Sequence, residues 1–157
     1  MFVPDKVLIH HSATKDAGTV DWQQIRKYHT TPESEGGPKG GPWRDIGYHG
    51  GVELVKTGTL EHYEILYGRM WNQAGAHCPG QNETALGICF IGNFSLAPCS
   101  EEQLMEGAKL VAMWTKLFHI PPGEIYPHKE FKDTECPGTL FDLSELKHLV
   151  TYWLAFK

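Results

Sequence analysis

The chain has 157 residues, 41% of them hydrophobic and 21% charged, which suits one compact domain with a real core and leaves little room for a second. Its formal net charge of −5 and the lack of a Lys/Arg block argue against a nucleic-acid partner held through phosphates, and against non-specific attraction to an anionic surface. No run approaches the roughly 18 apolar residues of a membrane helix, so no membrane insertion is expected.

The first residues, Met1-Phe2-Val3-Pro4-Asp5-Lys6, carry no basic segment followed by an apolar stretch, so they do not read as a secretory signal. Lys6-Val7-Leu8-Ile9-His10 is short, apolar and β-branched, as a buried strand would be. Residues 21–29 read as a helix, with Trp22, Ile25 and His29 at spacings of three and four. The glycines and prolines of residues 31–42 then exclude helix and central strand and leave a surface loop. A second strand is expected over residues 48–55, with a turn at Lys56-Thr57-Gly58-Thr59, and a third with an irregular exit over residues 61–71. Residues 85–92 are almost continuously apolar, the pattern of a strand covered on both faces.

The clearest helix spans residues 100–119. Ser100 and Gln103 make a capping box, and Leu104, Ala108, Val111 and Phe118 line one face, widened by Leu110, Trp114 and Leu117. Pro121-Pro122-Gly123 stops it. A short strand over residues 124–126 leads to His128, and a last helix begins near Asp142, with Leu146, Leu149, Val150 and Trp153 on one side. Strands alternating with helices predict an α/β fold, a mixed central sheet flanked by helices on both faces, with residues 1–157 forming a single domain.

Three stretches carry candidate chemistry. His10-His11-Ser12 ends the first strand, and strand alternation sends the two histidines to opposite faces, so only one of them serves any given site. Further on, His128 follows a strand, and Cys136, held by a Pro-Gly turn, comes eight positions later. A polar loop can bring this imidazole and thiolate, both common zinc ligands, to one point. Cys136 lies in a loop, where reactivity explains a cysteine better than packing does, whereas Cys89 in Ile88-Cys89-Phe90 reads as core. With Cys78 and Cys99 they are irregularly spaced, which suggests reduced thiols of a cytosolic chain rather than a disulfide framework. The third stretch is Trp43-Arg44-Asp45-Ile46-Gly47-Tyr48-His49, where local sequence favours a packed Tyr48 with its hydroxyl in solvent.

Taken together, these stretches resemble the zinc amidases of small phage lysozymes, a family shared with peptidoglycan recognition proteins. The resemblance rests on Val7-Leu8-Ile9-His10-His11-Ser12-Ala13-Thr14, Asp45-Ile46-Gly47-Tyr48-His49, Gly75-Ala76-His77 and Asn82. It continues through residues 86–94 and 128–138, in family order over nearly the whole chain. It implies a zinc amidase domain that hydrolyses the bond between N-acetylmuramic acid and L-alanine in peptidoglycan. His10, His128 and Cys136 would hold one Zn2+, three ligands that leave a tetrahedral position open, as catalytic sites do. Tyr48 falls on the tyrosine that reaches toward the metal-bound water and the substrate carbonyl. His77 and Asn82 match a loop bordering the substrate groove, with a structural role expected more often than a direct one.

Two departures stand out. Thr134 occupies the position of a catalytic lysine in the phage enzymes and would instead orient water or substrate. Residues 59–76 are longer than the family's connection and would reshape one wall of the groove. The absence of a signal or wall-binding repeat suggests a monomeric phage or prophage endolysin, made in the cytoplasm and acting on the wall after release. A non-catalytic recognition module and a cytosolic muropeptide-recycling amidase are the alternatives.

Overall fold

The computed structural model describes residues 2–15 and 20–156; Met1 of the N-terminal stretch lies outside them. Five strands, β1 (Lys6–His11), β2 (Gly50–Thr57), β3 (Leu60–Tyr67), β4 (Ala85–Phe90) and β5 (Ile125–Pro127), form one sheet in the order β3-β2-β4-β1-β5. The pairs β1–β4, β1–β5 and β2–β4 are parallel and β2–β3 is antiparallel, so the sheet is mixed as expected. The helices are α1 (Trp22–Thr30), α2 (Glu101–Phe118) and α3 (Leu143–Ala155).

Side chains alternate along each strand, and this sorts the core into two faces. Val7, Ile9, Val52, Leu86, Ile88, Phe90 and Ile125 pack against Leu104, Leu110, Val111 and Trp114 of α2 and against Leu146 and Val150 of α3. The opposite face carries Cys89, which packs with Ile46, Ile91 and with Trp22 and Ile25 of α1. A smaller cluster of Leu8, Cys78 and Ala85 lies beside it. Helices thus cover both faces. Strand β4 is buried along its whole length, which is why its sequence shows no polar alternation.

Helix α1 is seated closely. A Cβ on Gly51 would fall 2.3 Å from the Trp22 ring, so only glycine lets the helix approach β2 here. The start of α1 is held by Asp21, whose carboxylate accepts the Gln24 N–H at 2.8 Å, and by the buried Glu53, which accepts the Trp22 N–H at 2.9 Å.

Strand bounds shift from the sequence reading: β2 begins at Gly50 rather than residue 48, and β3 ends at Tyr67 rather than residue 71. Three further details depart from it. The first hairpin is tighter: β2 runs through Thr57, leaving Gly58-Thr59 as the turn, with Gly58 at φ +63°. The second concerns Ser100, which does accept the Gln103 N–H at 3.1 Å, but the Gln103 side chain does not complete a reciprocal box. It turns inward and donates to the carbonyls of Ile91 (2.9 Å) and Val52 (3.2 Å), giving the buried Ile91 oxygen a partner and adding a second to the Val52 oxygen, which also accepts the Ile91 N–H at 2.9 Å. Third, Leu117 is exposed: the buried stripe of α2 narrows to Trp114 and Thr115 before the helix ends at the left-handed His119, ahead of the prolines.

Candidate metal centre

The sheet builds the site. Parallel pairing sets Pro127 of β5 beside Ile9 of β1, so the residue that follows β5, His128, emerges next to His10. The two imidazole centroids are 4.3 Å apart. Beyond His128 the chain doubles back and is closed by the Lys129 N–H donating to the Cys136 carbonyl at 2.9 Å and the Gly138 N–H donating to the Glu135 carbonyl at 2.7 Å. Cys136 is thereby turned under β1, where its sulfur accepts the His11 N–H at 3.4 Å and lies 3.8 Å from His10 Nδ1. Ligand atoms of His10, His128 and Cys136 all lie within 4.8 Å of one another. These side chains come from opposite ends of the sequence.

His11 points elsewhere. It is half-buried, and its Nδ1 accepts the Phe94 N–H at 3.2 Å. The structure therefore brings together one histidine of the pair, His10, as alternation requires.

Burial lowers the pKa of His10 well below the usual imidazole range, and that of His128 to a lesser extent. Burial also pushes the Cys136 thiol up to about 11, against the opposing pull of the His11 N–H. The protein alone therefore presents two neutral imidazoles and a protonated thiol. A divalent cation would reverse the balance at the thiol, since a coordinating cysteine loses its proton. The donor set fits zinc, which takes imidazole nitrogen and thiolate sulfur. An independent sign of fit is His128 Nε2, which is buried with no hydrogen-bond partner among the described residues.

Tyr48 stands over this cluster, its ring centroid 5.2 Å from that of His10. The residue is half-buried, as the local reading has it packed, and its hydroxyl lies in hydrogen-bond reach of the Cys89 thiol. Burial raises the phenol well above its ordinary pKa, and the thiols of Cys89 and Cys136 raise it further. Tyr48 is thus a protonated hydrogen-bond donor at neutral pH. Cys89 sits opposite His10 in the β1–β4 register, so it forms the floor beneath the phenol. An apolar strand gives no sign of that proximity.

The other expected residues fall as follows. Thr134 is exposed, and its hydroxyl oxygen accepts the Cys136 N–H at 3.2 Å, which stiffens the ligand loop. His77 is buried with its Nδ1 3.0 Å from His10 Nε2, so it stands behind His10 rather than in solvent. Asn82 turns inward, its carboxamide oxygen accepting the N–H groups of His77 (2.8 Å) and Cys78 (2.9 Å).

A groove of about 520 Å³ opens beside Tyr48, lined in part by Ser12, Thr14, Gln24, Tyr28 and His29. Gln24 and Tyr28 belong to α1 and carry no motif of their own; their i, i+4 spacing beside the buried stripe is the one sequence signal that marks them. Part of residues 59–76 borders a second, more polar groove of about 560 Å³, where Arg69 and Gln73 face Arg44 and Asp45.

The model of the N-acetylmuramoyl-L-alanine amidase family matches residues 2–139. The chain belongs to this family. Among its relatives, peptidoglycan-recognition protein SC2 of Drosophila melanogaster is 34% identical over 138 residues, 84% of this chain and 67% of that protein. The endolysin of Escherichia phage T7 is 32% identical over 94% of this chain and 89% of its own length. Among solved structures, the amidase LysC from Clostridium intestinale superposes with a TM-score of 0.75 at 29% identity, covering 96% of this chain and 87% of that one. A tyrosine-to-phenylalanine mutant of Drosophila PGRP-LB, in complex with tracheal cytotoxin, gives 0.70 at 25% identity, covering 93% and 81%. The amidase family thus includes both endolysins and recognition proteins.

Proposed function

We propose that this chain is a zinc-dependent N-acetylmuramoyl-L-alanine amidase acting on bacterial peptidoglycan as a phage or prophage endolysin. The observation that carries this reading is the convergence of His10, His128 and Cys136, with ligand atoms within 4.8 Å, beside the half-buried phenol of Tyr48. A non-catalytic recognition module has no need of such a donor set, and three protein ligands leave one position free. The family and the extended match to phage endolysins support the substrate class and a site of action at the cell wall.

His10, His128 and Cys136 would hold the ion. Zinc, when bound, supplies Lewis acidity and lowers the pKa of a water ligand towards about 7. The chain's own contribution is position and charge. The groove beside α1 receives the glycan-peptide strand and sets its lactyl amide across the centre. Tyr48, kept protonated by burial, donates to the carbonyl oxygen as negative charge develops there. Because the ring is wedged between His10 and the α1 core, its hydroxyl needs little reorganisation to do so. Thr134 stiffens the ligand loop through the Cys136 N–H and keeps a hydroxyl proton to offer to water or substrate.

The decisive experiment digests purified peptidoglycan with and without a chelator, scoring free alanine amines and reducing sugar ends. New amines that vanish on chelation and return with zinc are expected. Reducing ends would mean glycan cleavage and overturn the assignment. Binding to the wall without new amines would mean a recognition module.

A further inference from the structure

We propose that His77 is the positioning residue of this centre: through one hydrogen bond it selects the His10 tautomer whose Nδ1 lone pair faces Cys136 and the metal. The inference deepens the proposed zinc site and rests on it. It starts from three atoms in a row. His77 Nε2 lies 3.3 Å from the Ala85 carbonyl oxygen, which can only accept, so the single proton of the neutral His77 ring belongs on Nε2. His77 Nδ1 is then an acceptor, and its partner at 3.0 Å, His10 Nε2, must be the donor. A neutral His10 protonated on Nε2 has a bare Nδ1. That atom is the one 3.8 Å from Cys136 Sγ. The proton order along Ala85, His77 and His10 is therefore set by a backbone carbonyl at the start of β4, and the metal side of His10 is left free to ligate.

The surroundings hold His77 to this task. A Cβ on Gly87 would fall 2.6 Å from its ring, and one on Gly75 would fall 2.4 Å from it, so the two glycines form a cradle that larger residues would fill. Asn82 fixes the His77 backbone from below. His49 packs edge-on against the ring, itself oriented by the Gly87 N–H donating to its Nδ1 at 2.9 Å. A ligating histidine is commonly oriented by a hydrogen bond to its second nitrogen, and losing such a partner typically costs about 10- to 100-fold in metal affinity.

Two variants of matched shape separate positioning from packing. His77→Asn keeps an acceptor oxygen near the Nδ1 position; His77→Leu removes it while leaving a similar volume. Zinc affinity would be measured by competition with a chromophoric chelator, with unfolding midpoints of the zinc-free proteins alongside. The Asn variant is expected within a few-fold of wild type and the Leu variant about 10- to 100-fold weaker. Equal affinities in the two variants would overturn the proposal. A second readout needs no variant: a long-range proton–nitrogen-15 spectrum of the zinc-loaded wild-type chain should show both His10 and His77 protonated on Nε2. Protonation of His10 on Nδ1 would overturn the proposal even if the Leu variant failed to fold. A wild-type chain that took up no zinc would overturn the metal reading and this inference with it, whereas zinc uptake with equal variants would overturn this inference alone.

Discussion

At the scale of single residues, the centre depends on atoms whose roles differ sharply from their intrinsic chemistry. Tyr48 is an ordinary phenol whose surroundings raise its pKa well above the usual value, and in the proposed reaction it would donate to charge that appears only as the amide is attacked. Tyr48→Phe is expected to lower kcat by about 10²- to 10³-fold with little change in KM, since a donor to a developing oxyanion acts on the transition state. Initial rates of amine release from soluble wall fragments would check this, and an unchanged kcat would remove the phenol from the reaction. Cys136→Ser replaces a soft thiolate by a weak hydroxyl donor and should abolish stoichiometric zinc uptake at micromolar protein. Elemental analysis after dialysis reads that directly.

At the scale of elements, the site is only as firm as the contacts that seat α1, α2 and the two ligand segments on the sheet. Gln103 is the clearest case: one buried carboxamide on α2 serves the carbonyls of Val52 and Ile91, tying β2 to the end of β4. Gln103→Met keeps the volume but leaves the Ile91 oxygen without its donor, while the Val52 oxygen keeps the Ile91 N–H at 2.9 Å. A loss of about 1–3 kcal/mol in urea unfolding is expected, the usual cost of an unsatisfied buried polar group. A midpoint equal to wild type would mean that the Ile91 carbonyl finds another partner. The elements themselves are legible from sequence wherever a local pattern determines them. Ser100 caps the helix it is expected to cap, α1 forms where residues 21–29 predict a helix, and residues 85–90 form the doubly covered strand. The capping-box reading of Gln103 misleads because its alternative partners lie 51 and 12 residues away, beyond any local window. Leu117 misleads because periodicity marks the apolar face of a helix but not how far along it the packing continues.

At the scale of the whole molecule, zinc would link β1 near the start of the chain to the loop after β5. Binding to this folded arrangement stabilises it by mass action, by about 4 kcal/mol at a free zinc concentration 1,000 times Kd. The thermal midpoint should rise with zinc in the wild type and stay fixed in Cys136→Ser. Acid should act in the opposite direction. Burial lowers His29 and His49 to about 4 and His77 to about 3, from an ordinary value near 6.5. A depressed folded pKa means that the unfolded chain binds the proton more readily. Stability from these groups is therefore complete above about pH 6.5 and is lost as pH falls towards about 4, each fully buried imidazole costing up to about 1.4 kcal/mol per pH unit in that window. Urea midpoints measured from pH 7 to pH 4 should fall steeply, and the fall should be shallower in His49→Gln. A flat profile would show that these rings gain no protons on unfolding.

Strand and helix types, the alternation that separates His10 from His11, and the candidate ligands themselves follow from the order of residues, because each rests on neighbours within a turn or two or on motifs kept in register. Which side chains meet was decided by the sheet. Parallel pairing of β1 with β5 and β4 is what sets His10 beside His128, Cys89 beneath Tyr48 and His77 behind His10. His10 meets His77 across 67 positions of chain and Cys136 across 126. Only the register of paired strands can carry information over such distances, since hydrogen-bonded backbones convert chain order into spatial order.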